Sequence, residues 1–142
     1  MGGYLNKVLR VNLSTGELST EGINWETAAA FVGGRGYGAK ILYDELPVGI
    51  DPLGPENKLI VMTGPLTGTA APTSGRFSIS TKSPATGTIL DANSGGYFGT
   101  ELKRAGFDGI IIEGRSETPV YLAILNAVPE LRDASARWGR DG

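Results

Sequence analysis

Positions 7–13 alternate. Lys7, Leu9, Val11 and Leu13 share one face and Val8, Arg10 and Asn12 the other, the period of two that marks a strand. Ser14-Thr15-Gly16 is a turn, and residues 17–23 return as the second arm of a hairpin. The period then lengthens. Asn24 is a good N-cap for a short helix over 25–31, which Gly33-Gly34 ends. A second helix is predicted over 37–45, with Tyr37, Ile41, Leu42 and Leu46 on one side and Lys40 and Asp44 elsewhere. Pro47, Gly49, Pro52, Gly54 and Pro55 make the next connection irregular.

The centre of the chain reads as strands. Residues 58–63 form a continuous apolar run expected to be buried on both faces, and Gly64-Pro65 breaks it. Residues 66–75 are a loop of small and turn-forming residues. Over 76–82, Phe77, Ile79 and Thr81 alternate with Arg76, Ser78, Ser80 and Lys82, an amphipathic strand. Pro84 and Gly87 turn the chain into a short strand over 88–92. A helix opened by glycine follows over 95–105, with Gly106 as its left-handed cap. Residues 109–113 are a second buried strand, 120–126 and 128–132 a terminal hairpin, and Asp133 is placed to cap a last helical turn through Trp138. About eight strands and three short helices, with strands mostly following strands, predict an α+β fold of mainly antiparallel sheets. No repeat, charge run or linker divides residues 1–142, so they are read as one unit.

Composition narrows the chemistry. The 142 residues include 22 Gly but no Cys and no His. Thiolate nucleophiles, disulfides, Cys-bound iron–sulfur clusters, Cys/His zinc sites and His-based triads therefore cannot come from this chain. A net charge of −2 gives no general attraction to nucleic acid or anionic membranes. No stretch reaches the ~20 apolar residues that span a bilayer. Met1-Gly2-Gly3-Tyr4 runs straight into patterned sequence with no signal-peptide core, so a cytoplasmic protein is expected.

Glycine clusters mark where a backbone must turn or be approached closely. The most informative is Asp91-Ala92-Asn93-Ser94-Gly95-Gly96-Tyr97-Phe98-Gly99, where a strand ends and a helix begins. A helix start carries unpaired N–H groups and partial positive charge, and glycine lets an anion reach them. Asn93 or Ser94 is placed to cap the helix, leaving the Gly95 and Gly96 amides as a cradle for a phosphate. The same pattern also describes a capped helix packed tightly on its strand. It is neither the dinucleotide fingerprint nor a P-loop, since the spacing is G-G-x-x-G and no Lys-Ser/Thr follows. Arg76 is the second candidate: beside Ser74-Gly75 at a strand start, its guanidinium can serve a phosphate, or simply stay solvated. Gly34-x-Gly36-x-Gly38 is read as a connection between helices. Asp44, Glu45, Asp91, Glu101, Asp108 and Glu113 are scattered; Asp91, near Asn93, is read as a strand-end carboxylate facing water, with a place in a magnesium shell as the other reading. Trp25, Tyr37, Tyr97 and Phe98 are expected to pack in the core. By its own side chains the chain offers a ligand scaffold and no catalyst.

The stretch Thr63-Gly64-Pro65-Leu66-Thr67-Gly68-Thr69, the segment Pro72-Thr73-Ser74-Gly75-Arg76, Thr81-Lys82-Ser83-Pro84, Asn93-Ser94-Gly95-Gly96-Tyr97-Phe98-Gly99 and Leu102-Lys103-x-Ala105-Gly106-x-Asp108 resemble the N-terminal domain of tungsten-dependent aldehyde ferredoxin oxidoreductases. Arg10-Val11-Asn12-Leu13-Ser14-Thr15-Gly16 and Arg132-Asp133-Ala134-Ser135 extend the resemblance over essentially the whole chain. It implies a saddle of β-sheets under a bis-pterin cofactor carrying tungsten (molybdenum in some relatives). The implied activity oxidises aldehydes to carboxylic acids and passes the electrons to ferredoxin. Arg76, Asn93, Ser94, Gly95 and Gly96 match positions that contact the pterin phosphates, and the Asn93 main-chain carbonyl matches one that helps hold a magnesium ion. The iron–sulfur cluster and the substrate-pocket residues of the family have no counterpart here. Residues 1–142 thus resemble a truncated tungstopterin-cradling domain that needs the remaining enzyme domains or a catalytic subunit. A catalytically silent module for a phosphorylated ligand or an assembly partner is the alternative, and a self-associating face giving a homo-oligomer is a further expectation.

Overall fold

The computed structural model describes residues 3–140. The reading of the chain start at Met1-Gly2, like Asp141 and Gly142, lies outside them. Eight strands and three helices follow in the order β1 (Val8–Asn12), β2 (Glu17–Glu21), α1 (Trp25–Phe31), α2 (Gly34–Glu45), β3 (Lys58–Thr63), β4 (Phe77–Lys82), β5 (Ile89–Ser94), α3 (Phe98–Arg104), β6 (Gly109–Glu113), β7 (Val120–Leu125) and β8 (Val128–Asp133). Six strands form one sheet in the order β2-β1-β6-β3-β4-β5, and β7-β8 form a second. Only β1 and β6 run parallel among the paired strands described; β1·β2, β3·β4, β3·β6, β4·β5 and β7·β8 are antiparallel. The expected mainly antiparallel α+β class is the one observed.

The large sheet is covered on both faces. On one side, Val8, Ile60, Met62 and Ile111 pack under α1 and α2 with Ala28, Tyr37, Ile41 and Leu42. On the other, Leu9, Val11, Val61 and Ile110 pack with Leu102 of α3, Phe107 and, less deeply, Leu122, Ile124 and Leu131 of the hairpin. Strand β1 is therefore buried on both faces, with Val8 at 1% and Leu9 at 0% exposure. That differs from a surface strand with one wet face.

Strand β4 inverts its apparent polarity. Ser78 and Ser80 are 5% and 2% exposed, while Phe77 and Ile79 are only half-buried against the second cluster. The serines lie beneath α2, where a Cβ on Gly38 would come within 2.5 Å of the Ser80 Oγ. Helix and sheet approach too closely there for larger residues. Accordingly α2 starts at Gly34 rather than at 37, and the Gly34–Gly38 cluster is helix, not connection. Its predecessor α1 has the expected bounds, and the Asn24 side chain accepts the Thr27 N–H at 3.0 Å.

Two charged knots fix the layers. Asp108, 1% exposed, accepts the Leu5 N–H at 2.9 Å and the Lys7 N–H at 3.3 Å, and it pairs with the buried ammonium of Lys103. Its carbonyl accepts the Thr63 hydroxyl at 2.6 Å, so the N-terminal segment, β3 and the end of α3 meet at one residue. Gly106, at φ +91, makes the turn that lets Lys103 and Asp108 meet. At the C-terminal end of α2, Glu45 accepts from Arg10 at 2.9 Å and lies 3.4 Å from Lys58, which also pairs with Glu113. Burial pushes the Glu45 carboxyl up, but the hydrogen bonds and charges of Arg10 and Lys58 outweigh it, and the net shift is downward.

Two local expectations fail. Strand β5 runs on through Ser94, paired Phe77↔Ser94 and Ser78↔Asn93, so α3 starts only at Phe98 with Tyr97 in the capping position and no side-chain cap. Neither Asn93 nor Ser94 caps that helix. After Asp133 the expected single helical turn does form: the Trp138 N–H donates to the Ala134 carbonyl at 3.0 Å, and the Asp133 carboxylate accepts from the backbone and hydroxyl of Ser135. Of the four aromatics expected in the core, only Tyr37 is there: Trp25, Tyr97 and Phe98 are 42%, 83% and 50% exposed.

Candidate functional site

The β4–β5 register determines where the site lies. With Phe77 opposite Ser94, the residues just outside the ladder, Arg76 and Gly95, emerge at the same end of the strand pair. Three glycines let the backbone cross there. A Cβ on Gly75 would meet the Gly96 carbonyl at 2.8 Å, and one on Gly99 would meet the Gly75 carbonyl at 2.9 Å. The chain at 75–76 is thus wedged between the Gly95-Gly96 turn and the first turn of α3.

Arg76 is held by its backbone alone. Its carbonyl accepts the Thr67 hydroxyl at 3.0 Å, and the same oxygen of Thr67 accepts the Gly64 N–H at 3.1 Å. The guanidinium is exposed and makes no hydrogen bond or ion pair among the described residues. Beside it a groove of about 270 Å³ runs past Ser74 and Thr73 to Leu66, Pro65 and Val32.

Gly96 takes φ +84, which turns the chain out of β5. Gly95 is different: its φ lies outside the left-handed region and a Cβ there would meet nothing within 4 Å. Neither conformation nor packing within the chain calls for glycine at that position. The tight-packing reading thus describes Gly75 and Gly99, and leaves the exposed face of Gly95 open for an approaching group.

Asn93 spends its side chain internally. Its Oδ1 accepts the Ser78 hydroxyl at 3.0 Å, and its Nδ2 donates to the Asp91 Oδ2 at 3.1 Å. Arg35, in the first turn of α2, places its guanidinium 3.8 Å from the same Asp91 oxygen. One acceptor site of the Asn93 Oδ1 and one N–H of its Nδ2 are thus taken. Ser94 is exposed and its hydroxyl reaches only the Gly95 carbonyl, at 3.5 Å.

The structure thus brings Arg76, Asn93, Ser94, Gly95 and Gly96 to one end of the β4–β5 pair. The sequence reading missed Ser78, Arg35 and Thr67 as their supports. Asp91 and Asn93 share a strand face only because β5 runs on past Ala92, and their partners across the ladder depend on register. No group of three or more Asp or Glu residues among those described could hold a metal ion. A second, apolar groove of about 340 Å³, lined by Val61, Leu102, Ile110, Ile112, Leu122 and Ile124, lies between α3, the sheet and the hairpin; its one carboxylate, Glu101, is paired with Arg104. It has no chemistry of the kind found at Arg76. No helix among those described is long and apolar enough to cross a membrane.

Sheet, open glycine turn and a guanidinium without a partner among the described residues sit together in one α+β unit. The chain belongs to the aldehyde ferredoxin oxidoreductase N-terminal domain family, whose model matches residues 8–142. It is 56% identical over 140 residues to the tungsten-containing aldehyde ferredoxin oxidoreductase of Pyrococcus horikoshii, covering 99% of this chain and 23% of that protein. It is 41% identical over 145 residues to the WOR-like subunit of an aliphatic sulfonate oxidoreductase of Pyrococcus furiosus, again 23% of that protein. A solved structure titled as the active site complex BamBC of benzoyl coenzyme A reductase with 1,5-dienoyl-CoA superimposes with a TM-score of 0.92 at 39% identity, over 95% of this chain and 21% of that one. The chain thus spans under a quarter of the length of these oxidoreductases.

Proposed function

We propose that this chain holds the phosphate end of a bis-pterin tungsten cofactor in an enzyme that oxidises aldehydes to carboxylic acids and passes the electrons to ferredoxin. Arg76 and the Gly95 and Gly96 amides bind the phosphates, Ser94 flanks them, and the Asn93 main-chain carbonyl takes part in holding a bridging magnesium ion. The observation that carries this reading is Gly95, which is glycine without internal cause, facing open space beside an exposed, unpaired arginine. When bound, the tungsten centre supplies the redox chemistry. This chain's residues fix the cofactor's position and offset its phosphate charge.

The iron–sulfur cluster, the substrate pocket, the ferredoxin contact and a cytoplasmic location belong to the same proposal, in parts of the protein beyond these residues. The relatives' names differ in substrate, aldehyde against aliphatic sulfonate, while sharing this region. That supports placing substrate choice outside it.

The test is the tungsten and pterin content of the full-length protein, purified as wild type, Arg76→Ala and Gly95→Val. The expected result is cofactor in the wild type and a loss of about ten-fold or more in the variants, in the range of lost supporting contacts at metal sites. Wild-type protein carrying a phosphorylated metabolite and no tungsten would instead make the chain a phosphate-binding module.

A further inference from the structure

Asp91 and Ser78 both spend a side-chain hydrogen bond on Asn93. They lie opposite or beside it on one face of the β4–β5 pair: Ser80↔Asp91 and Ser78↔Asn93 are cross-strand neighbours, and Asp91 and Asn93 are separated by two positions on β5. The Ser78 hydroxyl donates to the Asn93 Oδ1 at 3.0 Å while the Asn93 Nδ2 donates to the Asp91 Oδ2 at 3.1 Å. Both ends of the Asn93 amide are thereby fixed, and the flip that would exchange its oxygen and nitrogen is blocked. Ser78 is itself pinned under α2, where a Cβ on Gly34 would stand 3.2 Å from its Oγ.

The other oxygen of Asp91, Oδ1, is buried and has no hydrogen-bond partner among the described residues. Buried carboxylate oxygens are ordinarily satisfied, and an unsatisfied one carries a desolvation cost. A carboxylate kept in that position is justified by what its second oxygen holds. That oxygen holds Asn93, next to last in the β5 ladder, and faces the Arg35 guanidinium at 3.8 Å, on an edge strand where Ser94, Gly95 and Gly96 have little side chain to restrain them.

We propose that Asp91 and Ser78 are positioning residues: they clamp the Asn93 side chain so that its main chain and the Gly95-Gly96 amides after it are presented in one fixed geometry to the phosphate end of the ligand. This rests on the reading of the site given above. Neither residue touches the ligand; both act through Asn93. Asp91→Asn keeps an acceptor for the Asn93 Nδ2, whereas Asp91→Ala and Ser78→Ala each remove one end of the clamp.

The experiment compares full-length wild type with Asp91→Ala, Asp91→Asn, Ser78→Ala and, as the direct-contact reference, Arg76→Ala. Tungsten and pterin per protein are measured after dialysis, together with the thermal midpoint of each apoprotein. The expected result is a loss of retained cofactor of about ten-fold in Asp91→Ala and Ser78→Ala, recovery in Asp91→Asn, and apoprotein midpoints close to wild type. Full cofactor in Asp91→Ala and Ser78→Ala beside a depleted Arg76→Ala overturns the clamp and leaves the cradle standing. Full cofactor in every variant overturns both. A loss in Asp91→Ala matched by an equal fall in its apoprotein midpoint, or not rescued by Asn, overturns the clamp in favour of a purely structural residue.

Discussion

Replacing Asp108 by Ala removes one acceptor from three donors at once. The Leu5 and Lys7 N–H groups lose partners at 2.9 and 3.3 Å, and the Lys103 ammonium, with its side chain only 8% exposed, loses its counter-charge. Stripping one partner from a buried ion pair costs about 3–5 kcal/mol, and the Lys103 ammonium would keep only the neutral Gly3 carbonyl, at 2.7 Å, in place of its counter-charge. The two backbone N–H groups are only part-buried and share the same carboxylate, so the ~1–3 kcal/mol of an unsatisfied buried donor does not add in full for each. A net loss of about 4 kcal/mol is expected, a large share of the roughly 5–15 kcal/mol that holds a domain together. Urea unfolding of the purified protein, followed by the fluorescence of Trp25 beside Tyr4, reads this as a lower midpoint at unchanged slope. Asp108→Asn, which keeps an acceptor for the backbone, should lose less, and Lys103→Met added to it should recover part of that loss by removing the orphaned cation. An Asp108→Ala protein within about 1 kcal/mol of wild type would refute the assignment of this residue as the knot between the N-terminal segment and α3.

Gly99→Ala should destabilise by about 1–3 kcal/mol through contact with the Gly75 carbonyl, while Gly95→Ala should be neutral or up to about 1 kcal/mol stabilising; denaturation of the two variants side by side checks the contrast. The depressed Glu45 carboxyl binds fewer protons folded than unfolded, so its contribution is complete above the ordinary carboxylate range and is lost as pH falls through its folded value. Stability measured from neutral to acid pH should therefore decline less steeply in Glu45→Gln than in wild type. Leu9→Ala, emptying a position at 0% exposure, should cost about 2–5 kcal/mol, read from the same urea curves.

Some elements were legible because one signal dominated. Strand β6 is a continuous apolar run, and α1 has its Asn cap in place, so both come out with the expected bounds. Elsewhere tertiary contacts overrode local preference. Asn93 and Ser94 are residues that favour helix caps, yet pairing with Ser78 and Phe77 keeps them in β5. Glycines that read as a break at 34–38 are helical because α2 must lie close on Ser78 and Ser80. The exposed aromatics Tyr97 and Phe98 follow from the same shift of the helix start. At the site, Arg76 and the glycine turn announced themselves by composition and position. Their supports did not, since Thr67, Ser78 and Arg35 join them only through register and packing.

A ligand-bound structure of the full-length protein tests the phosphate cradle most directly. Phosphate oxygens should lie about 2.7–3.2 Å from the Arg76 guanidinium and from the Gly95 or Gly96 amide nitrogens, with the Asn93 carbonyl directed at a cation. Cofactor phosphates bound elsewhere, with the Gly95-Gly96 turn facing solvent or covered by side chains from another domain, would contradict it.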